Sequence, residues 1–185
     1  MRIIFLAEVT KIKKYIIHFS GLKEGKHDYQ FEIDRQLFLE FGENEITDAK
    51  VVVDVVLIKK TNHLAFSFEI NGVLTTICDR CLGPIEIEVS DSQKLYVNFG
   101  EINSDISDVY DTMILARSED KIDLAKHFYD YIALNLPIKR IHPDDEHGIS
   151  TCDEKMLMKL DEYKFHDTKK DGTDPRWDKL KNLLN

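Results

Sequence analysis

Cys78-Asp79-Arg80-Cys81 restricts the fold of this 185-residue chain more than any other feature. Two thiols at this spacing on a tight turn can grip one soft metal ion, and zinc is the usual one. The pair falls between two strand-like runs, so it predicts a strand-to-strand turn. Only one other cysteine exists, Cys152, and it lies far along the chain beside His142 and His147. If these groups meet, sheet and helices are tied at one point. The candidate metal set is Cys78, Cys81, Cys152 and His142, with His147 as the alternative fourth ligand. Four protein ligands would close the site and make it structural rather than catalytic. The competing reading is three ordinary reduced cysteines, with Cys78 pointing into a core.

Composition narrows the class. Hydrophobic residues form 43% of the chain, enough for a core, and the length suits one domain. We expect a single domain over 1–185, strand-rich over 1–100 and helical over 101–185. Three cysteines do not make a secreted disulfide framework, and a reducing compartment fits better. The apolar run Ile3 to Ala7 is interrupted by Glu8 and is too short for a signal peptide or membrane span. A cytoplasmic protein with no membrane contact is the expectation. The net charge of −9 disfavours non-specific nucleic-acid binding, which needs clustered cations on phosphates. The local basic clusters, Lys11/Lys13/Lys14, Lys59/Lys60, Lys139/Arg140 and Lys169/Lys170, read as solvated surface. An acidic protein acting near RNA suits a basic protein partner better.

Strand signals fill the first half. Ile3 to Val9 and Tyr15 to Phe19 are short β-branched and aromatic runs. Lys50 to Lys59 carries apolar residues at both parities, which predicts a strand buried on both sides. Leu64 to Ile70 and Val73 to Ile77 flank Asn71-Gly72, the strongest short signal for a hairpin turn with positive φ. Ile85 to Val89 alternates with glutamates, and Leu95 to Phe99 continues that strand. Residues Glu101 to Asp111 read as an acidic loop, followed by an apolar run at Met113 to Ala116. Asp120 is the expected N-cap of a helix carrying Ile122, Ala125, Phe128/Tyr129, Ile132 and Leu136, which Pro137 ends. After a loop over Lys139 to Ile149, Thr151 with Glu154 predicts a capping box and a helix to about Tyr163. A polar linker then leads to Asp174-Pro175 and a last helix with Trp177, Leu180, Leu183 and Leu184 on one face. The fold class expected is α+β, with a mostly antiparallel sheet and C-terminal helices on one face or end.

The order of these pieces resembles a known family. Cys78, Arg80, Cys81 and Leu82 come first, then Ile122-Asp123-Leu124, Leu134 and Leu136-Pro137, then His142, Cys152, and Asp174-Pro175 with Leu180. This arrangement is similar to the YceD-like family of large ribosomal RNA subunit accumulation proteins, over roughly the last two-thirds of the chain. The resemblance implies a role in making or stabilising large-subunit (23S-type) rRNA in bacteria, as a ribosome biogenesis factor. It implies as partner a large-subunit precursor or a ribosomal protein, and no established enzymatic activity. It gives no residue a chemical role, so the metal set rests on the residues alone.

Three functions from different classes follow. The first is a non-enzymatic ribosome-assembly factor without a small-molecule substrate, with Arg80 and Trp177 as candidate binding residues. Trp177 and its leucines could dock a partner, or pack on the chain's own sheet. The second is a metal- or redox-responsive enzyme using the Cys-x-x-Cys pair. Against it, Gly83-Pro84 blocks helix entry after the pair, and no Gly-x-Ser-x-Gly, phosphate loop or His-Glu-x-x-His occurs. The third is direct RNA binding, with Phe66 and Phe68 stacking bases if exposed.

Overall fold

The computed structural model describes residues 13–42, 45–100 and 111–163. A short 3-10 turn, Lys13–Tyr15, leads into β1 (Ile16–His18), β2 (Gly25–Ile33) and α1 (Arg35–Glu40). Three long strands follow: β3 (Asp48–Lys59), β4 (His63–Ile77) and β5 (Pro84–Phe99). Then come β6 (Asp111–Leu115), β7 (Lys121–Asp123), α2 (Ala125–Leu134) and α3 (Glu154–Tyr163). One sheet runs β2-β3-β4-β5-β6, and β1 pairs separately with β7. Its strands pair antiparallel except for the parallel β5–β6 edge. The α+β, mostly antiparallel expectation therefore holds. The strand expected at 3–9, the acidic loop over 101–110, the linker, and the Trp177 helix lie outside the described residues.

The core occupies one face of the sheet. Along β3, Ala49, Val51, Val53, Val55 and Leu57 are buried, whereas Val52 and Ile58 are 38% and 41% exposed. The expected burial on both sides is thus wrong. Valine at both parities reflects β propensity on a half-solvated strand, because the helix layer lies on the inner face only. That layer is α2. Its Phe128 ring packs 5.6 Å from Tyr15, 5.3 Å from Phe31 and 5.9 Å from Phe68. Phe66 and Phe68 are 1% and 0% exposed, so they are core residues and cannot stack bases.

Asn71-Gly72 does not turn. β4 runs unbroken from His63 to Ile77, with Gly72 paired to Val51 on one side and Val89 on the other. Gly72 is needed for closeness rather than for positive φ. A Cβ there would strike Lys50 O and come within 2.6 Å of Val51 Cα. The β3–β4 reversal uses residues 60–62 instead, where the Lys60 N–H donates to His63 O at 3.0 Å. Lys59 is not free surface either. Its Nζ donates to the carbonyls of Phe19 (2.7 Å), Ser20 (3.3 Å) and Leu22 (2.8 Å), fastening the β1–β2 loop to the sheet.

Helix α2 starts later than Asp120 predicts. Residues Lys121–Asp123 pair with β1 first, and the Asp123 carboxylate then accepts from Ala125 N–H at 2.9 Å. Pairing of Ile122 beside Ile17 buries both, which outweighs extending the helix by one turn.

Candidate metal centre

β4 delivers Cys78 at the far end of the inner face, beyond Leu74 and Thr76. The chain then reverses within six residues. Cys78 N–H donates to Gly83 O at 2.8 Å, and Leu82 N–H donates to Cys78 O at 3.0 Å. Closing so tight a turn puts Leu82 at φ +59°. Arg80 N–H points at Cys78 Sγ, 3.4 Å away. Cys81 is thereby set beside Cys78, with both thiols buried.

The segment after α2 is fastened to this turn. Asp79 N–H donates to Arg140 O at 2.7 Å, and Arg140 N–H returns to Asp79 Oδ2 at 2.7 Å. The guanidinium donates to Asp79 Oδ1 at 3.1 Å and also pairs with Glu45. Its side chain is only 12% exposed, so Arg140 is a clasp and not the solvated cation that the Lys139/Arg140 pair suggested. Two residues on, His142 faces the cysteines. His147 does not. It sits on an exposed turn where Asp145 Oδ1 accepts from the backbone N–H of His147 (2.9 Å) and Ile149 (2.8 Å).

Cys152 arrives from the other end of that turn. Asp153 caps α3, its carboxylate accepting from Met156 N–H at 2.9 Å. Thr151 is not the N-cap, because its hydroxyl donates to Pro143 O at 2.6 Å. Cys152 therefore precedes the helix rather than standing in its first turn. Arg80 Nη1 donates to Ser150 Oγ at 3.1 Å, and the same oxygen accepts from Cys152 N–H at 3.3 Å. Arg80 thus helps position Cys152.

The four donor atoms of Cys78, Cys81, His142 and Cys152 lie within 4.8 Å of one another. Cys78 Sγ is 3.9 Å from Cys152 Sγ. His142 Nδ1 is 3.4 Å from Cys81 Sγ and 3.8 Å from Cys152 Sγ. A tetrahedral zinc with ordinary bond lengths would separate two sulfurs by about 3.8 Å and a sulfur and a nitrogen by about 3.5 Å. The donor set and its spacing fit such an ion. His142 Nε2 is 3.0 Å from Pro84 O, and donation there leaves Nδ1 as the lone-pair atom facing the thiols.

Electrostatics divide the four groups, easing Cys78 and Cys81 towards ionisation and holding the proton on Cys152 and His142. Burial pushes the Cys78 thiol up, but hydrogen bonds from the Cys81, Arg80 and His142 backbones outweigh it and bring it down to about 6. Backbone donors at Asp153 and Gly83 lower Cys81 against the opposing effect of burial. The Ser150 hydroxyl pulls Cys152 down, yet burial and the two neighbouring thiols together raise it. Burial would lower His142, but its bonds to Cys78 and Pro84 O raise it. Packed without a metal, three thiols and an imidazole share their protons. A divalent cation would let all three sulfurs ionise.

A family model for the large ribosomal RNA subunit accumulation protein YceD matches residues 66–184. This chain belongs to the YceD family. No curated protein and no solved structure gives a match. The YceD match begins in β4 and takes in all four clustered residues together with Arg80 and Leu82. The family's name links it to accumulation of large-subunit rRNA. Among the described residues, no helix is long and apolar enough to cross a membrane.

Of the residues that sequence reasoning singled out, Cys78, Cys81, Cys152 and His142 come together, Arg80 stands beside them, and His147 stands apart. Trp177 lies outside the described residues. The clasp of Arg140 on Asp79 was missed. A cation two residues before a candidate ligand, opposite an aspartate inside the Cys-x-x-Cys turn, was the available signal.

Proposed function

We propose that this YceD protein is a non-enzymatic, cytoplasmic ribosome biogenesis factor. It supports synthesis, processing or stability of 23S-type rRNA through contact with a ribosomal protein or a precursor particle. Its scaffold is held by a structural zinc on Cys78, Cys81, Cys152 and His142. One observation carries the reading: four donors from three separate chain segments converge within 4.8 Å. When bound, the ion supplies cross-linking rather than chemistry, because four protein ligands leave no open position. The thiols are 0–4% exposed, which leaves a substrate no approach. The acidic charge favours a protein contact over bare RNA.

Deleting the gene tests the role directly. Large-subunit particles should fall selectively on a sucrose gradient, and normal subunit ratios would remove the proposal.

The Cys78 thiol brought down to about 6 favours a second reading, a redox-responsive enzyme on the same pair. Elemental analysis and thiol titration of purified protein separate the two. Stoichiometric zinc with unreactive thiols supports the scaffold. Metal-free protein with rapidly alkylated Cys78 or Cys81 supports the enzyme.

A further inference from the structure

Leu82 is the sole non-glycine residue with positive φ among the described residues, at +59°. A side chain with a Cβ is disfavoured there, and a glycine would close the same turn without strain. Burial does not offset this, since Leu82 is 66% exposed. The turn needs the backbone of Leu82 and has no use for its side chain. Two more exposed apolar side chains belong to the segments that frame the turn. Ile77, 46% exposed, is opposite Pro84 at the end of the β4–β5 pairing. Ile149, 64% exposed, adjoins Ser150, which holds Arg80.

The charge around this tip is one-sided. Segments 77–88 and 138–154 carry eight carboxylates against three cations. One of those cations, Arg140, is already ion-paired with Asp79 and Glu45, while Arg80 keeps its charge beside the neutral Ser150 hydroxyl, so carboxylates still outnumber cations. The field left over repels phosphates and attracts lysine and arginine, whose aliphatic stems can lie along an exposed leucine.

We propose that the tip of the β4–β5 turn is a docking surface for a lysine- and arginine-rich polypeptide segment, with Leu82 as its apolar anchor. This deepens the biogenesis reading and rests on its protein contact. The metal-closed turn presents Leu82 rigidly, so little ordering is required on binding.

Fluorescence anisotropy with the full-length, zinc-loaded protein tests it. The probe is a labelled peptide of lysine, arginine and leucine. A glutamate-substituted peptide and a single-stranded RNA oligonucleotide serve as comparisons. The basic peptide should bind in a salt-sensitive manner and the other two should not. Leu82→Gly should keep its zinc, melt no lower than the natural protein, and bind the peptide about tenfold more weakly. The double variant Asp144→Lys, Glu146→Lys should also weaken binding. Unchanged affinity in Leu82→Gly overturns the docking surface, as does preference for the RNA or for a second copy of the chain. The gradient on the deletion strain judges the biogenesis role separately. A Leu82→Gly protein that binds peptide normally in a strain with a clear large-subunit defect upon deletion rejects the surface and leaves the role standing.

Discussion

Cys78 Sγ lies 3.9 Å from Cys152 Sγ although 74 positions separate them in sequence. Helix α3 has no buried residue of its own and meets the fold at this cluster. Met156 and Leu157 pack only partly buried against the cysteine cluster. If the proposed zinc fills the site, free zinc at about 100 times Kd would stabilise the fold by about 2.7 kcal/mol. A saturating chelator should lower Tm by about 5–10 °C. Cys152→Ser should lose stoichiometric metal and show fast amide exchange through α3, measured by hydrogen–deuterium exchange. An unchanged exchange rate in α3 would argue against the tether.

Gly72→Ala should be strongly destabilising. The new Cβ meets backbone atoms of Lys50 and Val51 rather than a movable side chain. A loss of about 3 kcal/mol is expected in urea unfolding. A hairpin turn at Asn71-Gly72 would have tolerated alanine no better but asparagine well, so Gly72→Asn should be as damaging as Gly72→Ala.

Arg140→Met removes the clasp between the turn and the His142 loop while keeping most of the side-chain volume. Metal affinity should fall by about tenfold, as for other outer contacts that position ligands. Competition with a chromophoric chelator reads this out. Lys139→Met, one residue earlier, should leave affinity unchanged.

Alkaline pH should unfold the domain partly through Tyr15. Burial, then the charges of Asp34 and Glu40, push its hydroxyl up to about 12. A folded pKa above the unfolded value of about 10 contributes stability that is complete below pH 10 and is lost between about 10 and 12. Tyr15→Phe should flatten that part of the pH–stability curve, by on the order of 2 kcal/mol, and cost little at pH 7. Its hydrogen bond to Glu32 O is long at 3.4 Å. Urea midpoints across the alkaline range check the sign.

Much of this protein could be read from residue pattern, and the failures share a cause. The meeting of Cys78, Cys81, Cys152 and His142 was legible because a Cys-x-x-Cys pair has few uses and the chain holds one further cysteine. Strand identity was legible from alternation in β4 and β5. Turn placement was not, because Asn71-Gly72 fits a two-residue turn locally and only the partner strands β3 and β5 force it straight. The helix N-caps, Leu124 and Asp153, were displaced from Asp120 and Thr151 by tertiary demands. Strand β7 needed Ile122, and Pro143 took the Thr151 hydroxyl. Whether β3 was covered on one side or two depended on where α2 packed, which no window of β3 contains.

The parity of β4 reaches further than its core. Leu64, Phe66, Phe68, Ile70, Leu74, Thr76 and Cys78 all turn the same way and all are buried. Sliding β4 by one residue against β3 would point Cys78 to solvent and leave the other three donors without it. Gathering of the four donors thus acts as a proofreading step on strand alignment, open only to chains whose β3–β4 hairpin has zipped in register.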